Sequence, residues 1–358
     1  MTAERDGAKR SRGRRVTQRE IADIVGVSSA TVSYAFNGTP GVSEDVRQRI
    51  LTVAKDLGFR PNRTAQGLRR GRMNMIGLLL ADIANPFYPE LSSGVINAAS
   101  AHGSQVFLAQ VGLGGMLQAE AARNLVDRGC DGLVFTSVVD GDTELLRELQ
   151  AADTPFVYAN RRVDAIPADW VHVDDFAASR EAAEWVVRSG RLQVAVIGGP
   201  SESSVSHDRA RGALAALGAA GLSPVDERLI DGELSRDSGR ERCAALLDSG
   251  AAVDAIVCGN DMIALGVMDV CHARGVLIPE DVAIVGFDDM SFASAGPLQL
   301  STVTVPRQLM GERAVAMLFD RIDGYDGPPR EECLPHQLRI RATTGPRTAG
   351  PTDQRGTA

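Results

Sequence analysis

Polar side chains capable of recognition chemistry cluster directly after short apolar runs in the body of this 358-residue chain. Asp82, Asn85, Phe87 and Tyr88 follow the run at 76–80, and Asn160 and Arg161 follow the run at 156–158. Residues 201–209, ending in Arg209, follow 194–197; Asn260 and Asp261 follow 255–257; Asp288 and Asp289 follow 282–285. Carboxylates accept hydrogen bonds, guanidinium donates them, amides do both, and an aromatic ring covers an apolar face. Such a set suits a polyhydroxylated small molecule better than a reaction. A second group lies near the N-terminus, where Ser29, Thr31, Ser33 and Tyr34 share a short segment. Small polar groups there suit close approach to another macromolecule.

Enzyme signatures are missing. No G-x-G-x-x-G follows the first apolar run, and neither G-x-x-x-x-G-K-[ST] nor G-x-S-x-G occurs. His102, His172, His207, His272 and His336 show no HExxH spacing, and no two of the five cysteines form CxxC. No catalytic residue, cofactor or metal is therefore expected. The scattered cysteines argue for a reduced, cytoplasmic protein. No run of about 18 apolar residues marks a membrane span. The opening Met-Thr-Ala-Glu-Arg-Asp lacks the apolar stretch of a secretory signal.

Net charge is −8, but residues 1–72 hold 15 Lys/Arg against 7 Asp/Glu, while 73–358 hold 23 against 39. A basic head on an acidic body points to a polyanion at the head. Thr17 and Glu20 make a capping box, so a helix should start at Gln18 and stop at Gly26. Ile21, Ala22 and Val25 give it an apolar face. Ser28 should cap a second helix near 29–36, with Val32 and Phe36 inward, ended by Asn37 and Gly38. Ser43 should cap a third, with Ile50, Val53, Ala54 and Leu57 inward. Two short helices joined by a tight glycine turn are a helix-turn-helix, whose second helix fits the major groove. Pro61 then breaks the chain, and Asn62 can cap a short arginine-rich segment to Arg70.

From residue 75, apolar runs at 76–80, 106–109, 133–135, 156–158, 194–197, 255–257 and 282–285 alternate with helical stretches. Continuous apolar strands spaced by a crossover helix build parallel, doubly wound sheets. Seven or more strands exceed one comfortable sheet, so the body splits near residue 174 into two lobes. The segments 300–304 and 338–341 look like strands that cross back or finish a lobe.

Residues 16–33, with Asn37-Gly38, Val42-Ser43, 57–62 and Leu68, resemble the head of lactose-repressor-type (LacI/GalR) transcription regulators. The body is similar to the periplasmic-binding-protein-like core of the same family, and together the resemblance covers roughly residues 16–346. It implies a helix-turn-helix head and hinge helix followed by a two-lobed core of parallel, doubly wound sheets. The implied division is a disordered basic arm at 1–15, a DNA-binding domain at 16–60 and a hinge helix at 61–72. A first core lobe at 73–173 is completed by about 304–330. A second lobe at 174–303 is completed by about 331–346, and a disordered tail occupies 347–358.

Residue roles are implied in the same way. Ser29, Ala30 and Tyr34 would face base edges, while Thr17, Ser28, Thr31, Ser33 and Asn37 would hold phosphates. Asn62, Arg63 and Leu68 belong to the hinge helix, with Leu68 levered into a base step. Arg209, Asn260 and Asp288 match effector-contact positions, and Asp82, Phe87, Tyr88 and Asn160 sit where relatives line the pocket. Tyr34 stands where the family often has Arg, and Leu234 where some sugar-binding members present an aromatic. His207 either tunes the pocket or is simply exposed. The partners implied are an approximately palindromic double-stranded operator, a small-molecule effector and a second copy of the chain, with no membrane. The tail lacks leucine heptads, so tetramers are not expected. A protein co-regulator or nucleobase-type ligand remains an alternative controller. A solute-binding protein or an enzyme on the same core is a remoter one.

Overall fold

A computed structural model describes residues 16–59, 72–113 and 115–345. The chain divides into a unit ending at Met73 and a unit starting at Asn74.

The first unit is built by local grammar. Helix α1 is Gln18–Val25, α2 is Ser29–Asn37 and α3 is Glu44–Asp56. Thr17 Oγ1 accepts from Glu20 N, and Glu20 Oε2 accepts from Thr17 N, which completes the capping box. Gly26 takes the left-handed conformation, φ 75°, that ends α1 and allows the tight turn. Ser28 Oγ accepts from Thr31 N and caps α2. Ser43 occupies the cap position of α3 but makes no side-chain cap bond. Ile21, Ala22, Val25, Val32, Ala35, Ile50 and Ala54 form one small core, with Phe36 against Phe59. Leu57 departs from its expected inward position. It is 37% exposed because α3 has already ended at Asp56.

The second unit carries two α/β layers. Strands β1 (Met75–Leu80), β2 (Gln105–Gln110), β3 (Gly132–Phe135), β4 (Phe156–Ala159) and β5 (Asp169–Val173) begin the first sheet. Between them run α4 (Phe87–Ala101), α5 (Met116–Asp127) and α6 (Thr143–Ala151). The second lobe follows with α7 (Asp175–Arg188), β6 (Val194–Ile197), α8 (Ser204–Ala219), α9 (Arg236–Asp248), β7 (Ala255–Cys258), α10 (Asp261–Ala273) and β8 (Ala283–Val285). Then come β9 (Thr302–Thr304), α11 (Arg307–Ile322), β10 (Glu331–Leu334) and β11 (Gln337–Arg339). The first sheet has the order β10-β5-β4-β3-β1-β2, all parallel, and the second has β6-β7-β8, also parallel. Strand β9 bridges to the end of β8 and pairs antiparallel with β11.

The central strands of each sheet are buried on both faces because helices cover both. In lobe one, α4 and α11 lie in one core cluster while α5 and α6 pack a separate one. In lobe two, α7 and α8 cover one face and α9 and α10 the other. Close helix contact is set by missing side chains. A Cβ on Gly212 of α8 would meet the Phe176 carbonyl of α7 at 2.2 Å.

All seven apolar runs are strands. Two further strands, β5 and β10, carry too many polar residues to stand out. Asp169 of β5 is buried only because Arg321 and Arg330 pair with it. The assignment of 331–346 to the second lobe needs correction at its start. Residues 331–334 form β10, which extends the first sheet beside β5, and only 337–344 return to the second lobe. The expectations for Asn62, Arg63 and Leu68, the arm at 1–15 and the tail at 347–358 lie outside the described residues. Among the described residues, no helix is long and apolar enough to cross a membrane.

Candidate functional site

In the head, α2 buries Val32 and Ala35 and turns Ser28, Ser29, Ala30 and Tyr34 to solvent, with Tyr34 48% exposed. Thr31 and Ser33 flank that face, half-buried. Ser28 and Thr31 hydroxyls lie 2.9 Å apart, and Asn37 donates to Ser33 Oγ at 3.3 Å. Thr17 is exposed at the start of α1. The result is a short helix presenting small polar groups and one phenol, with helix N-termini nearby that favour anions.

In the core, the C-terminal ends of parallel strands from both lobes face one cavity of about 510 Å³. Asp82, Phe87, Tyr88, Asn160, Arg209, Asn260 and Asp288 all line it. Lobe one supplies the loop after β1, the first turn of α4 and the end of β4. Lobe two supplies α8, the N-terminus of α10 and the end of β8. Such strand ends are where open α/β sheets hold ligands.

The individual geometries differ. Asn85 Oδ1 accepts from Phe87 N and seats the first turn of α4. Phe87 and Tyr88 are each 5% exposed and meet edge to face at 5.4 Å, so they belong both to the core and to the cavity wall. Burial pushes the Tyr88 phenol pKa up. Arg209 donates through Nε to Asp175 at 2.7 Å and through Nη1 to the Gly259 carbonyl at 2.8 Å. Its Nη2 lies 3.2 Å from Asp288 Oδ1, and its guanidinium sits 3.7 Å over the Phe287 ring. Burial pushes the Asp288 carboxyl up, against the attraction of Arg209 and Arg307. Asn260 is a helix cap as well as a wall residue, because its Oδ1 accepts from Ile263 N and its Nδ2 donates to the Leu234 carbonyl. His207 is exposed and does not line the cavity.

Two wall residues hold strained backbone. Asn160 has φ 77° and Asp288 φ 110°, where L side chains are disfavoured. Asn160 Oδ1 is buried and makes no hydrogen bond among the described residues, while Asp288 Oδ1 has only the ion pair with Arg209. Nε and Nη1 of Arg161 are buried without a hydrogen bond there too. Arg161 also lines the cavity and is 4% exposed. Arg161 follows its strand, and its place beside Asn160 is the sequence signal for a site role that was not drawn from it. Gly112, Leu113, Val205, Ser235 and Met262 were missed too. They are loop and helix-start residues without a chemical signature.

Several contacts join the lobes beside the cavity. Arg162 N donates to Ser204 Oγ at 3.1 Å. Arg307 donates to Glu90 of α4 at 2.7 Å and to the Asp288 carbonyl. Group changes at Asp288 are thus one side chain away from a segment that crosses between lobes. Among the described residues, no group of His, Cys, Asp and Glu is placed to hold a metal.

A helix-turn-helix head on a two-lobed α/β core defines a DNA-binding transcription regulator. A family model described as periplasmic binding proteins and sugar binding domain of LacI family matches residues 73–345. A second, described as bacterial regulatory proteins, lacI family, matches residues 17–62. The HTH-type transcriptional regulator CelR of Thermobifida fusca is 32% identical over 339 residues, 92% of this chain and 98% of the relative. Catabolite control protein A of Priestia megaterium is 30% identical over 92% of this chain and 99% of its own. A crystal structure of the Lac repressor dimer bound to operator and the anti-inducer ONPF superposes with TM-score 0.84 at 26% identity, covering 93% of this chain and 100% of that one. A CelR–cellobiose complex superposes with TM-score 0.70 at 31% identity, covering 92% and 100%. The chain belongs to the LacI family of bacterial transcription regulators, a family of DNA-binding proteins and not of enzymes.

Proposed function

We propose that this chain is a homodimeric, cytoplasmic repressor whose operator affinity is set by a sugar or related metabolite in the interlobe cavity. The observation that carries the proposal is the convergence of Asp82, Phe87, Tyr88, Asn160, Arg209, Asn260 and Asp288 on one cavity, in a chain that also has a helix-turn-helix. Support for a sugar comes from relatives, one complexed with cellobiose and one from Enterococcus faecium with bound ribose. Support for a dimer comes from edge strand β2 and the start of α5. Phe107, Leu108, Met116 and Leu117 stand 42%, 44%, 90% and 66% exposed there, apolar side chains that a second copy would cover.

In this mechanism Ser29, Ala30 and Tyr34 read base edges, while Thr17, Ser28, Thr31, Ser33 and Asn37 hold phosphates. Asn62, Arg63 and Leu68 would add hinge contacts in the minor groove. A ligand bound to both lobes changes the angle between them. In a dimer that changes the separation of the two chain segments leading to the heads. The two heads meet two half-sites, so the operator is an approximate palindrome.

The test is selection of randomised duplexes on the full chain, followed by a reporter placed behind the selected site. The expected outcome is a palindromic consensus and a reporter that rises when the chain is deleted. An asymmetric consensus, or a reporter that falls, would contradict the dimeric-repressor assignment.

A further inference from the structure

The charges around the cavity do not cancel equally. Arg209 has Asp175 and Asp288 as buried partners, and Arg236 has Asp269 at 2.7 and 2.8 Å. Arg161 differs from both. It is 4% exposed, and its Nε and Nη1 meet no acceptor among the described residues. Burial holds its charged form down, with Arg209 acting in the same direction, against the opposing pull of Tyr88, Asp288 and Asp175. A buried guanidinium with two free donors is costly unless something supplies acceptors.

The other groups facing the same space describe the rest of the complement. Asn160 Oδ1 is a buried acceptor without a donor among the described residues, whereas Asp288 Oδ1 already faces Arg209 Nη2 at 3.2 Å. Tyr88, Leu234 and Met262 offer apolar surface. A ligand that satisfies the open positions carries a hydroxyl donor, a ring face and one group able to accept from a guanidinium fork. A carboxylate or phosphoryl group matches that fork in geometry and in charge. Asp82 and Glu233 also line the cavity, but both are exposed, so solvent screens their repulsion of an anion more than it screens Arg161.

We propose that the cavity takes an acidic sugar, with its anionic group on Arg161 and a hydroxyl on Asn160 Oδ1. This rests on the sugar-cavity reading above and narrows it.

Calorimetric titration of the full chain tests it with D-glucuronate and D-galacturonate against D-glucose and D-galactose, plus D-glucose 6-phosphate. The acidic members should bind at least about tenfold more tightly than their neutral parents, the effect of one charge-assisted pair. Arg161→Met should bring acid and parent within about twofold of each other. Without ligand, Arg161→Met should melt no lower than the wild type, because it removes a buried unpaired charge. Preference for the 6-phosphate over the uronates would keep the anion and assign it as phosphoryl. Neutral parents binding as tightly as the acids would overturn the anion while leaving the sugar reading in place. A markedly lower melting point for Arg161→Met would also overturn it, by giving Arg161 a structural role. Silence from all five probes would overturn both the anion and the sugar reading.

Discussion

Arg209 shows how one side chain can serve fold and site together. It neutralises Asp175 and Asp288 where neither meets enough water to stay charged alone. Arg209→Ala should therefore lower core stability by about 3–5 kcal/mol, the cost of leaving buried carboxylates unpaired. Denaturant unfolding checks this, and a loss under about 1 kcal/mol would show the pairs to be unimportant. Asp261 gives a pH dependence. Burial is the main cause that pushes its carboxyl to about 8, with Asp288 adding to it. The folded chain thus keeps a proton that the unfolded chain sheds near the ordinary carboxylate value. Stability from this group is full below that value, falls as pH rises, and levels off above about 8. Asp261→Asn should flatten the melting temperature between pH 5 and 8; an unchanged slope would contradict the assignment. At this scale the site was legible wherever a polar residue ended an apolar strand, as Asp288 and Asn160 do. Arg161 was harder to place, since a guanidinium after a strand is as often solvated as buried. Only its missing partners single it out.

Among the elements, the head was the most legible because its helices are set by local chemistry. Thr17, Glu20, Gly26 and Ser28 do their work within a few residues of themselves. Ser43 looks the same in sequence but makes no cap bond. Ser28→Ala should therefore weaken α2 by about 1 kcal/mol, while Ser43→Ala should leave α3 nearly unchanged. Native-state hydrogen exchange of the α2 and α3 amides reads both, and equal losses would contradict the difference. Strands β5 and β10 were not legible, because Asp169 in β5 depends on Arg321 and Arg330, more than 150 residues away. Helix packing in lobe two depends on Gly212. Gly212→Ala would drive a Cβ against the Phe176 carbonyl, and should cost about 1–3 kcal/mol of stability by urea unfolding. A neutral effect would mean that α7 and α8 can separate freely.

The whole molecule joins a basic head to an acidic body, and the two ends of that charge pattern do different work. The head favours DNA, so operator affinity should fall steeply with salt. The body repels DNA and offers a cavity instead. Division into two lobes followed from strand number, but the place of the third crossing did not: residues 331–334 still belong to the first sheet, and the chain crosses to the second lobe only after them. Nothing in four residues of sequence tells β10 which sheet edge to join. The central proposal is that cavity and head are coupled through the angle between lobes. The direct measurement is the affinity of the full chain for its selected duplex, by fluorescence anisotropy, with and without the sugar that binds it in calorimetry. Coupling of about 1–3 kcal/mol predicts a change of roughly 5- to 150-fold, and Asp288→Asn should reduce it. A sugar that binds tightly yet leaves the DNA affinity unchanged would contradict the coupling.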